Sequence, residues 1–266
     1  MLLTNYHMHT CMSDGKNTAE EMVLCALEKG FRAIGFSDHG FTRYDDSYCI
    51  KDEQAYIAEI TRLKEKYKKD IQIYVGVEED AFEFVDRSKF DYLLGSCHYI
   101  RQDEKYHSID LSRGDFEKLL QLFSEDTLAL AESYYKDFCE YILRRKPDIV
   151  GHFDLITKYD ELDGCFLHDE RYFAIAEKYL SEALKSDCIF EVNTGAMARG
   201  YRTSPYPHER LLYVLKKRDA KILLSSDAHM VKKLDFAFEE SKQLLKEVGF
   251  SHVYALLDGA WKKQDL

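Results

Sequence analysis

The chain has 266 residues, of which 45% are hydrophobic and 32% are charged, and this balance excludes a disordered protein because there is ample apolar surface to bury. The 48 acidic and 37 basic residues leave a formal net charge of −11, which argues against a nucleic-acid-binding protein, since such proteins carry a basic face. No apolar run reaches the roughly 18 residues of a membrane span, and the N-terminal segment does not resemble a signal peptide.

Short apolar segments alternate with longer amphipathic segments along the chain. The first half predicts strands over 2–7, 33–37, 71–77 and 92–96, with a helix after Thr18 and another over about 52–69. The second half predicts a mostly helical region over 113–145, strands over 149–151, 188–192 and 222–225, helices over 168–186, 208–218 and 235–248, and a short tail. Strands that alternate with helices in this way indicate a parallel, barrel-like α/β fold, formed as one domain by residues 1–266.

Polar side chains that can bind metal ions follow almost every predicted strand. They are, in chain order, His7 and His9, Asp38 and His39, Glu78 and Glu79, His98, His152, Glu191 and Asn193, and Asp227 and His229. Each occurrence alone has an ordinary explanation, such as a polar turn, a helix cap or a structural histidine. Because reacting groups in parallel barrels gather at the C-terminal ends of the strands, their repetition in one phase favours a shared site.

Nine of these positions, counting Asp14 in the first turn, are candidate metal ligands. They are His7, His9, Asp14, His39, Glu78, His98, His152, Asp227 and His229. Imidazole and carboxylate ligands without a cysteine cluster exclude a structural zinc-finger site and suit Zn, Mn or Fe. An open catalytic ion usually takes about three protein ligands, so nine candidates predict two to three divalent ions. Glu79 neighbours Glu78 on a strand and is expected to point the other way, toward the surface or a supporting position.

The chain also resembles a known family in the order of its motifs. It contains, between Tyr6 and His229, the segments HMHTCMSD, FSDHG, GVEED, GSCHYI, VGHFDL, EVNTG and SSDAH, which resemble those of the PHP (polymerase and histidinol phosphatase) metallohydrolases. An aspartate at position 14 is similar to the stand-alone histidinol-phosphate phosphatase branch, since many other members have histidine there. The resemblance implies a distorted (β/α)7 barrel with a trinuclear metal site.

The resemblance also implies how the candidate residues divide among three ions. It assigns His7, His9, Glu78 and Asp227 to one ion, Glu78 as a bridge with His98 and His152 to a second, and Asp14, His39 and His229 to a third. Asp227, Glu78 and His229 are expected to be catalytic, and Glu191 to support the ligands. The phosphate-binding candidates are Arg199 and Lys158, with Arg101 and Arg202 in reserve.

The reaction implied by the resemblance is hydrolysis of a phosphate monoester, with L-histidinol phosphate of histidine biosynthesis as the expected substrate. Clustered ions can bind the phosphoryl oxygens and generate hydroxide for the attack near neutral pH. The alternatives are a PHP phosphoesterase specific for a nucleotide, a sugar phosphate or phosphotyrosine, an exonuclease, and a non-catalytic PHP scaffold. The acidic charge argues against the exonuclease, and the complete set of nine ligand types argues against the scaffold.

The cysteines indicate the compartment. There are 7, an odd number, and they lie far apart without a CxxC motif. This pattern is typical of free thiols in a reducing cytoplasm rather than of a disulfide framework. We therefore expect a cytoplasmic enzyme whose partner is a small-molecule phosphate ester, with no nucleic acid and no membrane. A homo-oligomer is left open.

Overall fold

The computed structural model describes residues 3–266, in which strands and helices alternate. The strands are β1 (Thr4–Asn5), β2 (Ala33–Phe36), β3 (Gln72–Asp80), β4 (Tyr92–Ser96), β5 (Tyr99–Gln102), β6 (Lys105–Ser108), β7 (Ile149–Val150), β8 (Ile189–Asn193), β9 (Ile222–Ser225), β10 (His252–Leu257) and β11 (Ala260–Asp265). The helices are α1 (Ala19–Glu28), α2 (Glu53–Lys66), α3 (Arg113–Leu122), α4 (Thr127–Arg145), α5 (Asp160–Asp163), α6 (Glu170–Ala183), α7 (Gly195–Arg199), α8 (Glu209–Lys217) and α9 (Phe238–Val248).

Seven parallel strands form a barrel at the centre of the fold. Their order in the sheet is β1-β2-β3-β4-β7-β8-β9, and each neighbouring pair is parallel. The sheet closes beyond β1 and β9, where Met8 forms a parallel bridge with Ala228. The backbone nitrogen of His9 donates to the Ala228 oxygen over 2.9 Å. The predicted barrel-like α/β fold with seven strands is therefore confirmed.

The predicted strands and helices mostly lie close to those of the structure. The segments 92–96 and 222–225 coincide with β4 and β9 at both ends. The first predicted strand started at Leu2, which lies outside the described residues, and β1 is shorter than predicted. The helical region predicted over 113–145 is two helices, because Ser124 and Glu125 take left-handed backbone angles (φ 55° and 60°) between α3 and α4.

Two antiparallel hairpins were not predicted. The expected short tail after α9 is the hairpin of β10 and β11, paired from His252 with Asp265 to Leu257 with Ala260. The segment after β4, for which no strand was predicted, contains the hairpin of β5 and β6. The first hairpin covers the end of the barrel opposite the strand C-termini, where the Tyr6 hydroxyl donates to the Leu256 oxygen over 2.8 Å.

Tyr92 fills the barrel interior above this hairpin. The neighbouring strands make room for its ring with glycine: a Cβ atom on Gly35 would lie 2.6 Å from the Tyr92 hydroxyl, and one on Gly76 would lie 2.2 Å from its ring. The hydroxyl donates to the Tyr6 carbonyl over 2.7 Å. Apolar and aromatic side chains fill this end of the interior, and the buried imidazoles and carboxylates of the candidate site lie at the C-terminal ends of the strands.

Candidate metal centre

All nine predicted ligand residues lie together at the C-terminal ends of the barrel strands. They form four overlapping groups, in each of which the ligand atoms lie within 4.8 Å of one another. The groups are His7, His9 and Glu78; His7, His152 and Asp227; His39, Glu78 and His98; and His9, Asp14, His39 and His229. Seven of the nine residues are buried, whereas the side chains of Asp14 and His229 keep 33% and 21% of their surface exposed.

The deepest group contains two imidazole nitrogens and two carboxylate oxygens. The Nε2 atom of His7 lies 3.1 Å from Glu78 Oε2 and 3.5 Å from Asp227 Oδ1. The Nε2 atom of His9 lies 3.4 Å and 3.2 Å from the same two oxygens. These four atoms belong to the residues that the family resemblance assigns to one ion.

Glu78 connects this group to a second one through its other oxygen. Glu78 Oε1 lies 3.1 Å from His152 Nε2 and 3.3 Å from His98 Nε2. A carboxylate whose two oxygens face different ligand sets has the geometry of a bridging ligand.

A third group lies nearer the pocket mouth around Asp14. Asp14 Oδ2 is 3.1 Å from His229 Nε2, and Asp14 Oδ1 is 3.9 Å from His39 Nε2. The Nδ1 atom of His39 is 3.1 Å from Glu78 Oε2, so this ring faces two groups.

The residues of this centre fit divalent metal ions. Both ring nitrogens of His9 and the Nδ1 atom of His152 are buried without a hydrogen-bond partner. Buried polar atoms are rarely left unpaired, because each loses its hydration without compensation. Imidazole nitrogens that face carboxylate oxygens are the donor set of Zn, Mn or Fe.

The central carboxylates are held in the charged form that binds metal. Burial raises the pKa of Glu78, but the imidazoles of His7 and His39 outweigh burial and keep that pKa well below its usual value. Burial opposes ionisation of Asp227 in the same way, and the Arg199 guanidinium beside it keeps its pKa low. Both carboxylates are therefore ionised at neutral pH, as metal ligands must be.

Glu191, in the middle of β8, supports His7 from behind. Its Oε2 lies 2.9 Å from His7 Nδ1 and accepts a hydrogen bond from the Ser225 hydroxyl over 2.5 Å. The backbone nitrogen of His152 donates to its other oxygen over 2.6 Å. A carboxylate that accepts from Nδ1 turns the Nε2 lone pair of the same ring toward the metal position.

The two residues after Glu78 lie on opposite faces of β3, and neither position was fully predicted from the sequence. Glu79 points out of the barrel as predicted, but it is fully buried and accepts two hydrogen bonds of 2.8 Å from Arg145, so the expected surface position is wrong. Asp80 lies on the inner side with Glu78, and its Oδ2 is 3.3 Å from His98 Nδ1. Sequence reasoning overlooked Asp80, although the two-residue period of a strand places it on the same side as Glu78.

Asp227 takes an uncommon backbone conformation, and Gly195 and Arg199 lie against its side chain. Its φ of 48° is in the left-handed region, which aspartate tolerates better than most residues. A Cβ atom on Gly195 would lie 2.7 Å from Asp227 Oδ2 and 2.9 Å from Arg199 Nη2, so glycine leaves room for this pair. Arg199 Nη2 donates to Asp227 Oδ2 over 2.7 Å, and Arg199 Nη1 lies 3.2 Å from His229 Nδ1.

Of the four predicted phosphate-binding residues, two line the pocket above the centre. This pocket has a volume of about 400 Å³, and its walls include Arg199 and Lys158. The Lys158 ammonium donates to the Asp110 carbonyl over 2.7 Å and lies 3.2 Å from the Asp110 carboxylate. Lys16, which sequence reasoning missed, also lines the pocket and follows the turn that carries Asp14.

The other two predicted residues lie elsewhere, which corrects the expectation for them. Arg101 is exposed on β5 and pairs with Glu104. Arg202 is buried, lies 3.7 Å from the Asp154 carboxylate and covers the Tyr206 ring at 4.4 Å. Its charge is used to fix the segment that follows α7, because a buried guanidinium needs local partners.

Comparison with known proteins places the chain in a family. The model of the PHP domain matches residues 5–195, and this range contains seven of the nine candidate ligands. The chain therefore belongs to the PHP domain family.

Similar individual proteins share nearly the whole length of the chain. A protein of Schizosaccharomyces pombe described as a probable histidinol-phosphatase is 26% identical over 262 residues, covering 90% of this chain and 84% of its own. The histidinol-phosphatase of Bacillus subtilis is 26% identical over 258 residues, covering 88% and 96%. The crystal structure of histidinol phosphate phosphatase from Lactococcus lactis, complexed with Zn, L-histidinol and phosphate, has a TM-score of 0.72 at 19% identity, covers 98% of both chains, and shares the fold.

Proposed function

We propose that this chain is a metal-dependent histidinol-phosphatase that hydrolyses L-histidinol phosphate to L-histidinol and phosphate in histidine biosynthesis. The observation that carries the proposal is the cluster of nine imidazole and carboxylate ligands around Glu78, at the base of a pocket that also presents Arg199. The relatives named histidinol-phosphatase support the substrate, because they align over most of their own length as well as over this chain.

The proposed cofactors are two to three divalent ions, with Zn, Mn and Fe as the candidates. His7, His9, Glu78 and Asp227 would hold one ion, Glu78, His98 and His152 a second, and Asp14, His39 and His229 a third. When bound, such ions neutralise phosphoryl oxygens and lower the pKa of water. Asp227, Glu78 and His229 are the residues that we assign to catalysis, because they hold and orient the reacting groups at the base of the pocket.

The protein side chains orient the ester. Arg199 lines the pocket, and its two terminal nitrogens contact Asp227 and His229. Each terminal nitrogen carries a second hydrogen, so the guanidinium can also donate to phosphate oxygens. Lys158 is held by Asp110 and also lines the pocket.

The pocket also offers negative charge for the alcohol part of the substrate. Burial raises the pKa of Asp110, but the Lys158 ammonium outweighs burial and holds that pKa below its usual value. The Asp110 carboxylate is therefore ionised at neutral pH and lies in the same pocket as Arg199. L-histidinol phosphate carries an ammonium group besides its phosphate, so a pocket with both signs of charge suits it.

The cysteine pattern and the acidic net charge support the proposed setting of the enzyme. A single domain over residues 1–266 would act in the cytoplasm on a small molecule, without nucleic acid or a membrane, and the oligomeric state is left open. Among residues 3–266, none of the helices combines the length and hydrophobicity needed to cross a lipid bilayer.

A phosphate-release panel tests the proposed function. Protein purified without chelator should contain two to three equivalents of Zn, Mn or Fe and should give its highest kcat/KM with L-histidinol phosphate. The panel should include nucleoside monophosphates, sugar phosphates and phosphotyrosine, with metal content measured by elemental analysis on the same sample.

An Asp227→Asn variant provides the control for contaminating phosphatase, because it lacks a carboxylate that faces both His7 and His9. A nucleotide or sugar phosphate hydrolysed more efficiently than L-histidinol phosphate would replace the proposed specificity by another one in the family. A folded preparation with no more than one equivalent of metal would contradict the multinuclear centre.

Replacing Arg199 by alanine tests how phosphate is held. A hydrogen bond to a charged group contributes about 1.5–3 kcal/mol, so kcat/KM should decrease about 10- to 150-fold. Arg199→Lys should recover part of this loss, because an ammonium cannot give two parallel bonds. Steady-state kinetics at saturating metal provide the measurement.

Arg199 also contacts Asp227, so it could act by binding phosphate or by supporting this metal ligand. Measuring the metal content of the variants separates these two roles. Loss of kcat/KM at full metal content indicates phosphate binding, whereas a parallel loss of both indicates that Arg199 only holds the ligand. Arg101→Ala is the matched control, since Arg101 lies on the exposed β5–β6 hairpin and should leave kcat/KM unchanged.

A further inference from the structure

Asp80 lies immediately behind the metal centre and touches one of its histidines. It is the last residue of β3 and is 4% exposed. Its Oδ2 accepts from the His98 backbone nitrogen over 3.0 Å and lies 3.3 Å from His98 Nδ1. The other nitrogen of that ring, Nε2, faces Glu78 Oε1. Asp80 therefore lies on the far side of His98 from the centre.

The remaining oxygen of Asp80 is also occupied. Asp80 Oδ1 accepts from the Phe82 backbone nitrogen over 3.1 Å and from the Tyr44 hydroxyl. Four donors thus face two oxygens, which leaves this carboxylate no free direction toward an ion. Asp80 is also absent from the groups of ligand atoms that lie within 4.8 Å of one another.

The same arrangement occurs once more in the centre, on the opposite side of Glu78. Glu191 accepts from His7 Nδ1 while His7 Nε2 faces Glu78 Oε2. In both pairs a buried carboxylate accepts from Nδ1 and leaves the Nε2 lone pair directed at the Glu78 carboxylate. A hydrogen bond of this kind selects the ring tautomer that can bind a metal through Nε2.

Tyr44 extends this contact to the segment 41–50. Its ring stacks on Tyr106 of β6 with centroids 4.1 Å apart, and it meets Tyr99 of β5 edge-on at 4.8 Å. The Tyr99 hydroxyl donates to the Asp45 carboxylate over 2.9 Å. The β5–β6 hairpin thus fixes the ring whose hydroxyl reaches Asp80.

We propose that Asp80 is a positioning residue that holds His98 as the Nδ1–H tautomer, and that Tyr44 holds Asp80 in place. This inference rests on the metal centre of the proposed function. The affinity of His98 for metal then depends on Asp80, which binds no metal itself. It also depends on the packing of segment 41–50 against the β5–β6 hairpin.

Asparagine at position 80 cannot replace the carboxylate. An amide has one accepting oxygen and one NH2 group, which can only donate. The NH2 group would therefore face one of two pairs of donors. One pair is the backbone nitrogen and Nδ1 of His98, and the other is the Phe82 backbone nitrogen and the Tyr44 hydroxyl. Facing His98, it would favour the Nε2–H tautomer, which has no lone pair toward the centre. Removing the outer partner of a metal-binding histidine typically lowers metal affinity about 10- to 100-fold.

Zinc binding by the purified chain tests the proposal. Competition with a chromophoric chelator should show about 10- to 100-fold weaker binding of the most affected Zn²⁺ in Asp80→Asn than in the unmodified chain. Tyr44→Phe keeps the stacked ring and loses only one hydrogen bond, so it should weaken binding by about two- to tenfold. Asp160→Asn is the matched control, because Asp160 is a buried carboxylate that accepts from the Phe166 and Leu167 nitrogens and touches no imidazole.

Nitrogen-15 NMR of the zinc-bound chain gives a readout that general destabilisation would not change. The His98 signals, assigned by their loss in His98→Gln, should show a proton on Nδ1 and zinc on Nε2. Zinc on Nδ1 in the unmodified chain, or zinc affinity in Asp80→Asn equal to that of Asp160→Asn, would overturn the proposal. If Asp80→Asn does not fold, Tyr44→Phe and the NMR assignment still decide it. An unmodified chain that binds no Zn²⁺ would instead contradict the proposed metal centre.

Discussion

Glu78→Gln should lose both metal and turnover, and it should do so more completely than any other single substitution in the centre. Five imidazoles face its two oxygens, those of His7, His9 and His39 at Oε2 and those of His98 and His152 at Oε1. Breaking a buried charge pair costs about 3–5 kcal/mol, which corresponds to about 150- to 4,000-fold in an equilibrium constant. Because Glu78 faces two ligand groups, elemental analysis should show more than one equivalent lost.

The comparison with Glu79→Gln makes this result specific. The two glutamates are adjacent, but Glu79 points out of the barrel toward α4. Glu79→Gln should therefore keep its full metal content. Equal metal content in Glu78→Gln and the unmodified chain, together with near-normal turnover, would exclude Glu78 as a bridge.

Glu79→Gln should instead lower the stability of the fold. Glu79 accepts from both the Nε and Nη2 atoms of Arg145 over 2.8 Å, and from the Tyr141 hydroxyl over 2.9 Å. Removing one partner of a buried pair leaves the other charge uncompensated, at a cost of about 3–5 kcal/mol. Urea denaturation of the metal-free protein should show this loss, since bound metal would add its own stabilisation.

Glu83→Gln is the matched control for this measurement. Glu83 also pairs with an arginine through two nitrogens, but its partner Arg43 is 75% exposed. Exposed ion pairs contribute about 0–1 kcal/mol, so the unfolding midpoint should change little. If Glu79→Gln were as mild as Glu83→Gln, the pair with Arg145 would not stabilise the barrel.

Much of the fold and of the candidate centre could be predicted because both depend on simple periodicities. Apolar strands separated by amphipathic helices predict a parallel barrel, and the geometry of such a barrel brings the strand ends together. The positions of His7, Glu78 and Asp227 in the predicted centre required no knowledge of packing. It was enough to know that each lies at the C-terminal end of a predicted strand.

Features that depend on the identity of a distant partner could not be predicted in this way. The β10–β11 hairpin is determined by the barrel end that it covers, which includes Tyr6. The burial of Glu79 depends on Arg145 from α4, and that of Arg202 on Asp154. For these two charged residues, the tertiary partner decides whether the charge is exposed or buried.

The closure of the barrel determines the order in which the chain can fold during its synthesis. The Tyr6 hydroxyl bonds to the Leu256 carbonyl, 250 residues away, and Met8 bridges to Ala228. One edge of β1 thus has no partner until the ribosome has added the residues around β9 and β10. Unpaired strand edges promote aggregation in nascent chains, and β1, with two residues, offers a very short one. Closing the barrel is therefore a late, long-range step that follows translation of nearly the whole domain.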